Sequence, residues 1–350
     1  MAEAMTNSVN ITATFDDYFT PSFAARKVEQ LTDPNLIMAR PGFLTRFVGS
    51  PSHVIESPPY RTDSSGNQIT PGSSTKKRRP IGHIDGTRIS AIDIDDYALK
   101  EYNMASYALK IPFDESVLSD SPGNRMKIEW AYDDMSRILA EFLNAEILTE
   151  ALNDFTYTSG GDHTGYMDNE DVTGFGYEST YGFLCGKLAA GTYWNTDSAD
   201  YNTDIKNMVT MFENQQGYST VLTTLLMHNT LLEDITLWGT ENGHSWETSP
   251  LGNGRSIANI HGVQVIGLNN VDGMASHTDK VIMLDNRVTP CNTYYYNKAI
   301  PGYTQYSDEA IVQTKVIEPD PEYANKEVLY RFEFGTHLQM PKHIGIAEVY

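Results

Sequence analysis

The sequence predicts an α+β fold organised around one very long helix. Three observations carry that expectation. From Arg125 to Leu152, about 28 residues pass without glycine or proline while apolar residues recur at three- and four-residue steps. Short runs with period-two alternation, the signal of strands, stand on both sides of it. Residues 51 to 92 are rich in Ser, Thr, Gly and Pro between strand-like flanks. That is the pattern of a long two-stranded excursion, with a disordered linker as the alternative.

At 350 residues and 40% hydrophobic content, the chain can hold two or three domains with a sizeable core. A formal net charge of -21 argues against a general nucleic-acid binder, which needs a basic face. Such acidity keeps concentrated protein soluble and repels packed DNA. Cys185 and Cys291 are the only cysteines, so no disulfide framework is expected and synthesis in a reducing cytosol fits. The opening MAEAMTNSVNITATFDDYF shows no basic region leading into an apolar one, so no secretory signal is expected there. No window approaches ~18 uninterrupted apolar residues, so no membrane span is expected. Asn10-Ile11-Thr12 matches a glycosylation triplet without a secretory context to support it.

Along the chain, residues 1–50 scatter Phe15, Tyr18, Phe19, Phe23, Phe43, Leu44 and Phe47 among polar residues and prolines. This reads as an arm that lies on other surfaces, with at most one short helix near Phe23 to Leu31. In the excursion, SHVIES and RRPIGHIDGTRISAIDI carry the strand-like alternation. Tyr107, Leu109 and Ile111 then alternate with Ala108 and Lys110, a strand expected to end at Pro112. Ser119, Asp120 and Ser121 offer N-cap chemistry before Pro122, which a first helical turn tolerates. Ile128, Tyr132, Met135, Leu139 and Phe142 form the helix stripe, and Ile138, Ala145, Leu148 and Leu152 widen it. At ~1.5 Å per residue the helix is a rod of roughly 40 Å.

The stretch Phe155 to Tyr181 is a Gly-, Asp- and Thr-rich loop. Its Asp168, Asn169, Glu170 and Asp171 could coordinate a hard cation, although the spacing is not that of an EF-hand. Asp168, Glu170 and Asp171 are the weak metal candidates, with a solvated acidic turn as the alternative. GFLCGKLAAGTYW suggests a short hairpin. Thr203 to Gly217 reads as a helix with Ile205, Met208, Val209 and Phe212 on one side. TVLTTLLMHNTLLEDI supplies a strand and a helix, and HGVQVIGLNNV and DKVIMLDN two more strands. Together these predict a compact α+β unit over 203–310, with Leu237 to Ser256 as a long exposed loop. Near the C-terminus, Val328, Tyr330, Phe332 and Phe334 share one strand face and Arg331 and Glu333 the other. Ile311 to Ile317 is the candidate antiparallel partner.

The search for chemistry is negative: there is no GxGxxG, P-loop, HExxH, GxSxG or CxxC, and no catalytic constellation stands out. His337 and His343 read as surface or interface groups, and His228 as a core or edge histidine. The run Lys76-Lys77-Arg78-Arg79 is the one dense charge feature. It could serve import, contact nucleic acid, or seek a neighbour's carboxylates.

The order of parts resembles the major capsid protein of tailed double-stranded DNA viruses of bacteria or archaea, the Hong Kong 97-type fold. The resemblance rests on the Tyr107-x-Leu109-x-Ile111-Pro112-x-Asp114 strand before the long helix and on NTDIKNMVTMFENQQG followed by TVLTTLLMHNTLLEDI. GVQVIGLNNV and the late aromatic strand running into MPKHIGIA complete it, and it spans Phe15 to Tyr350. It implies an N-terminal arm (1–50) and an extended E-loop (51–95). A P-domain (96–202) with a spine helix at about 122–153 would follow, then an A-domain (203–310) and C-terminal strands (311–350) returning to the P-domain. It further implies a structural protein without cofactor, self-assembling into hexamers and pentamers of an icosahedral head around double-stranded DNA. Scaffolding, portal, and decoration or turret proteins would be its partners, and the virion, built in the host cytoplasm, its location. Lys76, Lys77, Arg78 and Arg79 are then expected between subunits, and Asn242, His244, Trp246 and Glu247 in a loop at the capsomer axis. Two other readings stand beside it: an encapsulin-type compartment of the same fold, and an acidic, carbohydrate-active surface protein suggested by 21 tyrosines and acidic loops.

Overall fold

The computed structural model describes residues 15–32, 36–39, 43–61, 97–153, 177–178, 184–187, 194, 199–213, 220–252, 255–305, 311–317, 325–338, 340 and 343–349. A 3-10 turn (Phe15–Phe19), helix α1 (Pro21–Thr32), a second 3-10 turn (Ile37–Ala39) and strand β1 (Thr45–Ser50) come first. Strands β2 (Val54–Arg61), β3 (Tyr97–Asn103) and β4 (Ala105–Phe113) lead to α2 (Pro122–Asn153). After β5 (Tyr177–Glu178), β6 (Leu184–Lys187) and α3 (Tyr201–Glu213) come β7 (Thr224–His228) and α4 (Asn229–Glu241). Strands β8 (Ser249–Gly252), β9 (Arg255–Ile260), β10 (Val263–Leu268), β11 (Lys280–Leu284) and β12 (Cys291–Tyr296) follow. The chain closes with β13 (Thr304–Gln305), β14 (Gln313–Ile317), β15 (Lys326–Leu338) and β16 (Ile344–Glu348).

The long helix forms where the sequence places it. Ser121 is its N-cap: the Oγ accepts from the Asn124 N–H at 3.2 Å, and Pro122 fills the first helical position where its missing N–H costs nothing. Arg125 closes on Asp120 through two hydrogen bonds of 2.7 and 2.9 Å. The buried line runs Ile128, Tyr132, Leu139, Leu143, Ile147 and Ala151. Ile138 was expected on that line but is 44% exposed, because it lies around the helix from the 132–139–143 edge.

The six-stranded sheet runs β1-β12-β15-β14-β13, with β4 also paired to β15. Phe334 pairs with both β12 and β4, and Val328 with both β14 and β4. Hence β4 takes one edge of β15 while β14 and β12 share the other. β4 continues through Pro112, opposite Glu327, to Phe113 instead of stopping at the proline. An outer strand tolerates the lost N–H. Val328, Tyr330, Phe332 and Phe334 are buried towards α2, where Tyr107 meets Phe142 and Phe332 at 4.8 and 5.6 Å between ring centres.

The eight-stranded sheet runs β5-β6-β16-β11-β7-β10-β9-β8 and lies between two cores. Leu226, Ile266, Ile282, Ile344 and Ile346 turn to the core built on α2. Leu225, Val265, Val281, Met283 and Ala347 turn to the core beneath α3 and α4. Burial on both faces explains why these strands read as continuous apolar runs. Between β9 and β10, His261 (φ 54) and Gly262 (φ 81) form a two-residue hairpin turn of the kind that requires left-handed backbone at both positions.

Four expectations are set against the structure here. First, the described residues of 15–50, expected as an arm lying on other surfaces, pack into the chain's own core. Tyr18, Phe19, Val28, Ile37, Met38 and Leu44 are buried in the chain's own core, each contributing about 1.5–3 kcal/mol. The Tyr132 hydroxyl donates to the Tyr18 carbonyl at 2.6 Å, and β1 pairs in parallel with β12. Second, β2 pairs with Tyr97–Asn103, while the RRPIGHIDGTRISAIDI stretch expected to carry the return alternation lies outside the described residues. Third, β12 and β13 join the six-stranded sheet although they precede residue 310, and β16 joins the eight-stranded one although it follows 311. Alternation fixes which face a residue takes but not which sheet recruits the strand. Fourth, β6 falls inside the Gly182–Trp194 stretch expected to form a hairpin and pairs with Tyr177–Glu178 upstream of it, while residues 188–193 lie outside the described residues.

Candidate assembly surfaces

The outer face of α2 carries a cleft. Met126 and Trp130, one turn apart and off the buried stripe, are 50% and 63% exposed. Next to them, a cavity of about 670 Å³ opens between α2 and the Asn270–Asp272 turn, with Trp130 and Val271 among its lining residues. Its floor holds Arg255 and Asp272, both almost fully buried and joined through two guanidinium nitrogens. Asp272 also accepts from the Asn269 N–H, tying the turn to itself. Directly below, Gly273 (φ +92) lets backbone meet backbone: a Cβ there would stand 2.9 Å from Ala145 Cα. Along the wall, Arg137 pairs with Asp134 at 2.7 Å and approaches Glu141 at 3.9 Å. Among the described residues no cation reaches ion-pair distance of Asp133. Carboxylates (Asp133, Asp134, Glu141, Asp272) therefore outnumber guanidiniums (Arg137, Arg255), and the cleft suits a cation beside an exposed indole.

The stretch Leu237 to Ser256 is not a long exposed loop. Its first residues complete α4, and β8 pairs with β9 as a sheet edge. Asn242 caps the helix through its N–H and its side-chain amide, both donating to the Trp238 carbonyl. Gly243 (φ 79) then turns the chain back. His244 stacks on Trp238 and Trp246, with centres 5.7 and 4.6 Å apart and ring planes within 15°. Trp246 is buried, seated over Gly239, where a Cβ would come within 2.5 Å of its ring. Glu247 is exposed. The four residues expected in the axial loop are thus brought together, but as a packed aromatic turn with an exposed Leu237 beside it.

Several carboxyls are held away from their ordinary state. Burial, with Glu146 nearby, pushes Glu150 up to about 7 despite the Thr336 N–H that it accepts. Tyr107, half-buried and bonded to Glu146, is pushed up to about 12. Burial also raises Asp204 to about 6, although the Trp194 indole donates to it at 2.9 Å. Asp285 goes the other way, to about 2: four hydrogen-bond donors outweigh its burial, among them Arg287 at 2.6 Å and His343 at 3.0 Å.

Lys76, Lys77, Arg78 and Arg79 lie outside the described residues, as do Asp168, Glu170 and Asp171. Among the described residues, no three His, Cys, Asp or Glu side chains are grouped to hold a metal, and no helix is long and apolar enough to cross a membrane. His228 caps α4, bonded to Thr230 and Asn270. His337, expected at a surface, is buried in β15, because it points into the body at the β12 pairing. The cleft was missed by sequence reasoning, although Met126 and Trp130, apolar yet off the stripe, were the signal.

No protein-family model matches the sequence, and no curated protein matches it. Solved structures do. A phage-related protein from Bordetella bronchiseptica aligns over 93% of this chain and 95% of its own, at 11% identity and a TM-score of 0.50. The capsid of a native GTA particle aligns over 87% and 88%, at 10% identity and a TM-score of 0.50. The fold is of the Hong Kong 97 type. An encapsulin complex from Synechococcus elongatus also aligns, over 89% and 88% at 10% identity, with a TM-score of 0.49.

Proposed function

We propose that this chain is the major capsid protein of a tailed double-stranded DNA virus, assembling into hexamers and pentamers of an icosahedral head. The observation that carries the reading is the alignment of 87% of the chain with the capsid of a native GTA particle. A shared fold is an argument by analogy, so features of this chain must support it. Two do. Among the described residues β2 and β3 pair only with each other, and an isolated two-stranded ribbon is marginal in water until something covers it. The cleft on α2 carries the carboxylate excess that a basic segment of a neighbour would complete.

In this reading the six-stranded sheet and α2 form the P-domain, and the eight-stranded sheet with α3 and α4 the A-domain. Lys76 to Arg79, at the middle of the E-loop, contact carboxylates of an adjacent subunit, for which Asp133 and Glu141 are suited. The turn of Asn242, His244, Trp246 and Glu247 faces the capsomer axis. Scaffolding, portal, and decoration or turret proteins complete the head, which forms in the host cytoplasm. The Asp168–Asp171 cluster binds a divalent cation between or within subunits. The chain acts structurally and carries no catalytic site.

Purified protein examined by size-exclusion chromatography and electron microscopy tests this directly. Megadalton particles or capsomers support a shell; a persistent monomer or dimer overturns it. Co-expression with the other virion genes and nuclease digestion of the contents then distinguishes a DNA-filled head from a protein-filled compartment.

A further inference from the structure

The ribbon leaves the body through two short connections, residues 51–53 after β1 and Met104 before β4. The Met104 N–H donates to the His53 carbonyl at 2.9 Å, closing the first rung at the foot. From that rung the His53 side chain reaches back to the six-stranded sheet. Its ring stacks on Tyr296 of β12, with centres 4.0 Å apart and planes at 17°. Its Nδ1 lies 2.6 Å from Glu333 Oε2. Glu333 projects from β15 on the face opposite the aromatic core, yet its side chain is only 4% exposed, against 57% for His53. The same carboxylate accepts from Arg331 at 2.6 Å and from Ser106 of β4 at 3.3 Å. One buried acid therefore gathers bonds from the ribbon foot, from β4 and from β15. The nearby Asn297 N–H to Ser50 carbonyl bond, at 3.0 Å, holds the end of β1.

We propose that His53, Glu333, Arg331 and Tyr296 form a protonation-dependent latch that sets the angle at which the β2–β3 ribbon leaves the body. Histidine changes charge between about pH 5 and 8. An imidazolium donating to a carboxylate makes a hydrogen bond roughly twice as strong as the neutral ring does, and burial of the acid strengthens it further. Among the described side chains, the charged groups facing the ring are Glu333 and Arg331, both from β15; β12 presents the Tyr296 ring and β4 the Ser106 hydroxyl. Arg331 alone balances Glu333 when His53 is neutral, so the acid stays buried while the foot loses its charged tether. The latch is closed while the ring is charged and loosens once the ring is neutral. It does not depend on the capsid reading; within that reading, it would let a subunit hold its E-loop in one posture and release it without cleavage.

Hydrogen exchange read by mass spectrometry on the full-length chain tests the latch. Rates are corrected for intrinsic pH dependence and compared at pH 5.5 and 8.0. Protection of peptides covering 53–58 and 100–105 is expected to fall about fivefold or more at pH 8.0 in the wild type, the effect of halving a charge-assisted bond. His53→Gln, which can hydrogen-bond but not charge, should show the loosened level at both pH values. His53→Lys should stay protected at both. Peptides from β10 and β11 should not change and serve as the control for folding. His53 is exposed, so these variants keep the fold even where Glu333→Gln does not. Equal protection of the wild-type foot at both pH values, or an undiminished pH difference in His53→Gln, overturns the proposal.

Discussion

The N-terminal arm and the β2–β3 ribbon look alike in sequence, both extended and both bearing apolar residues that a small unit struggles to bury. In the structure they part company. The arm threads into its own subunit: Ile37 and Met38 are fully buried, the Met38 N–H donates to Asn144 on α2, and the Thr314 hydroxyl donates to the Pro21 carbonyl at 2.7 Å. Among the described residues the ribbon's strands pair only with each other, and its foot is held by polar contacts around His53. The difference divides the molecule's energy into two kinds. Arm contacts belong to folding and are present in a lone subunit; in the proposed capsid, ribbon contacts await a neighbour.

The sharpest way to break this comparison is Ile37→Asp. A charge forced into the arm's buried site should cost about 3–5 kcal/mol and leave little soluble, folded subunit, read by circular dichroism and thermal melting. A folded subunit that merely failed to assemble would put the arm in the ribbon's class. Reversing Lys76 to Arg79 to Glu should do the opposite. Assembly should be lost by light scattering, while the subunit's own stability stays within about 0.5 kcal/mol, as for other surface changes. Normal particles from that variant would remove the basic run from the interface.

A smaller effect comes from Glu150, which faces β15 inside one subunit. Its folded pKa of about 7 lies above the ordinary 4.5, so ionisation opposes folding. The stability difference should be absent below about pH 4.5, grow as pH rises to about 7, and level off above. Glu150→Gln should abolish that decline and stabilise the subunit at pH 8 by about 1–2 kcal/mol, allowing for partial solvent screening. Chemical denaturation at pH 4.5 and pH 8 measures it, and the same gain should appear in subunits and particles, since no neighbour is involved. Salt should act in the other place. With -21 per subunit, neighbours repel at long range, and the Debye length shrinks from ~30 Å at 0.01 M to ~3 Å at 1 M. Empty particles should therefore loosen on desalting and tighten as monovalent salt rises, followed by light scattering. Stability falling with salt would mean that ion pairs dominate the contacts.

How much of this was legible in the sequence follows from which forces are local. The spine helix was, to within a residue or two at each end, because Ser121 and Pro122 mark its start and its stripe keeps helical period. The late aromatic strand and its partner were legible for the same reason. The arm was not: Phe15, Tyr18 and Phe19 announce burial, but no periodicity says against which surface. Nor was the exchange of β12 and β16 between the sheets, since each strand's alternation suits either partner. The aromatic turn of His244 and Trp246 hid behind polar neighbours, and only the fit of an indole over Gly239 orders it. In the cleft, the opposite wall arrives from residues 255–272, more than a hundred positions downstream of Trp130.

The central claim, that the arm folds with its own subunit while the ribbon and the outer face of α2 serve neighbours, meets its most direct test in hydrogen exchange on subunits before and after assembly. The account predicts that protection gained on assembly concentrates in 54–61, 97–103 and the exposed α2 positions around Trp130 and Arg137, while residues 15–50 exchange alike in both states. Protection gained chiefly in 15–50, with the ribbon unchanged, would contradict it.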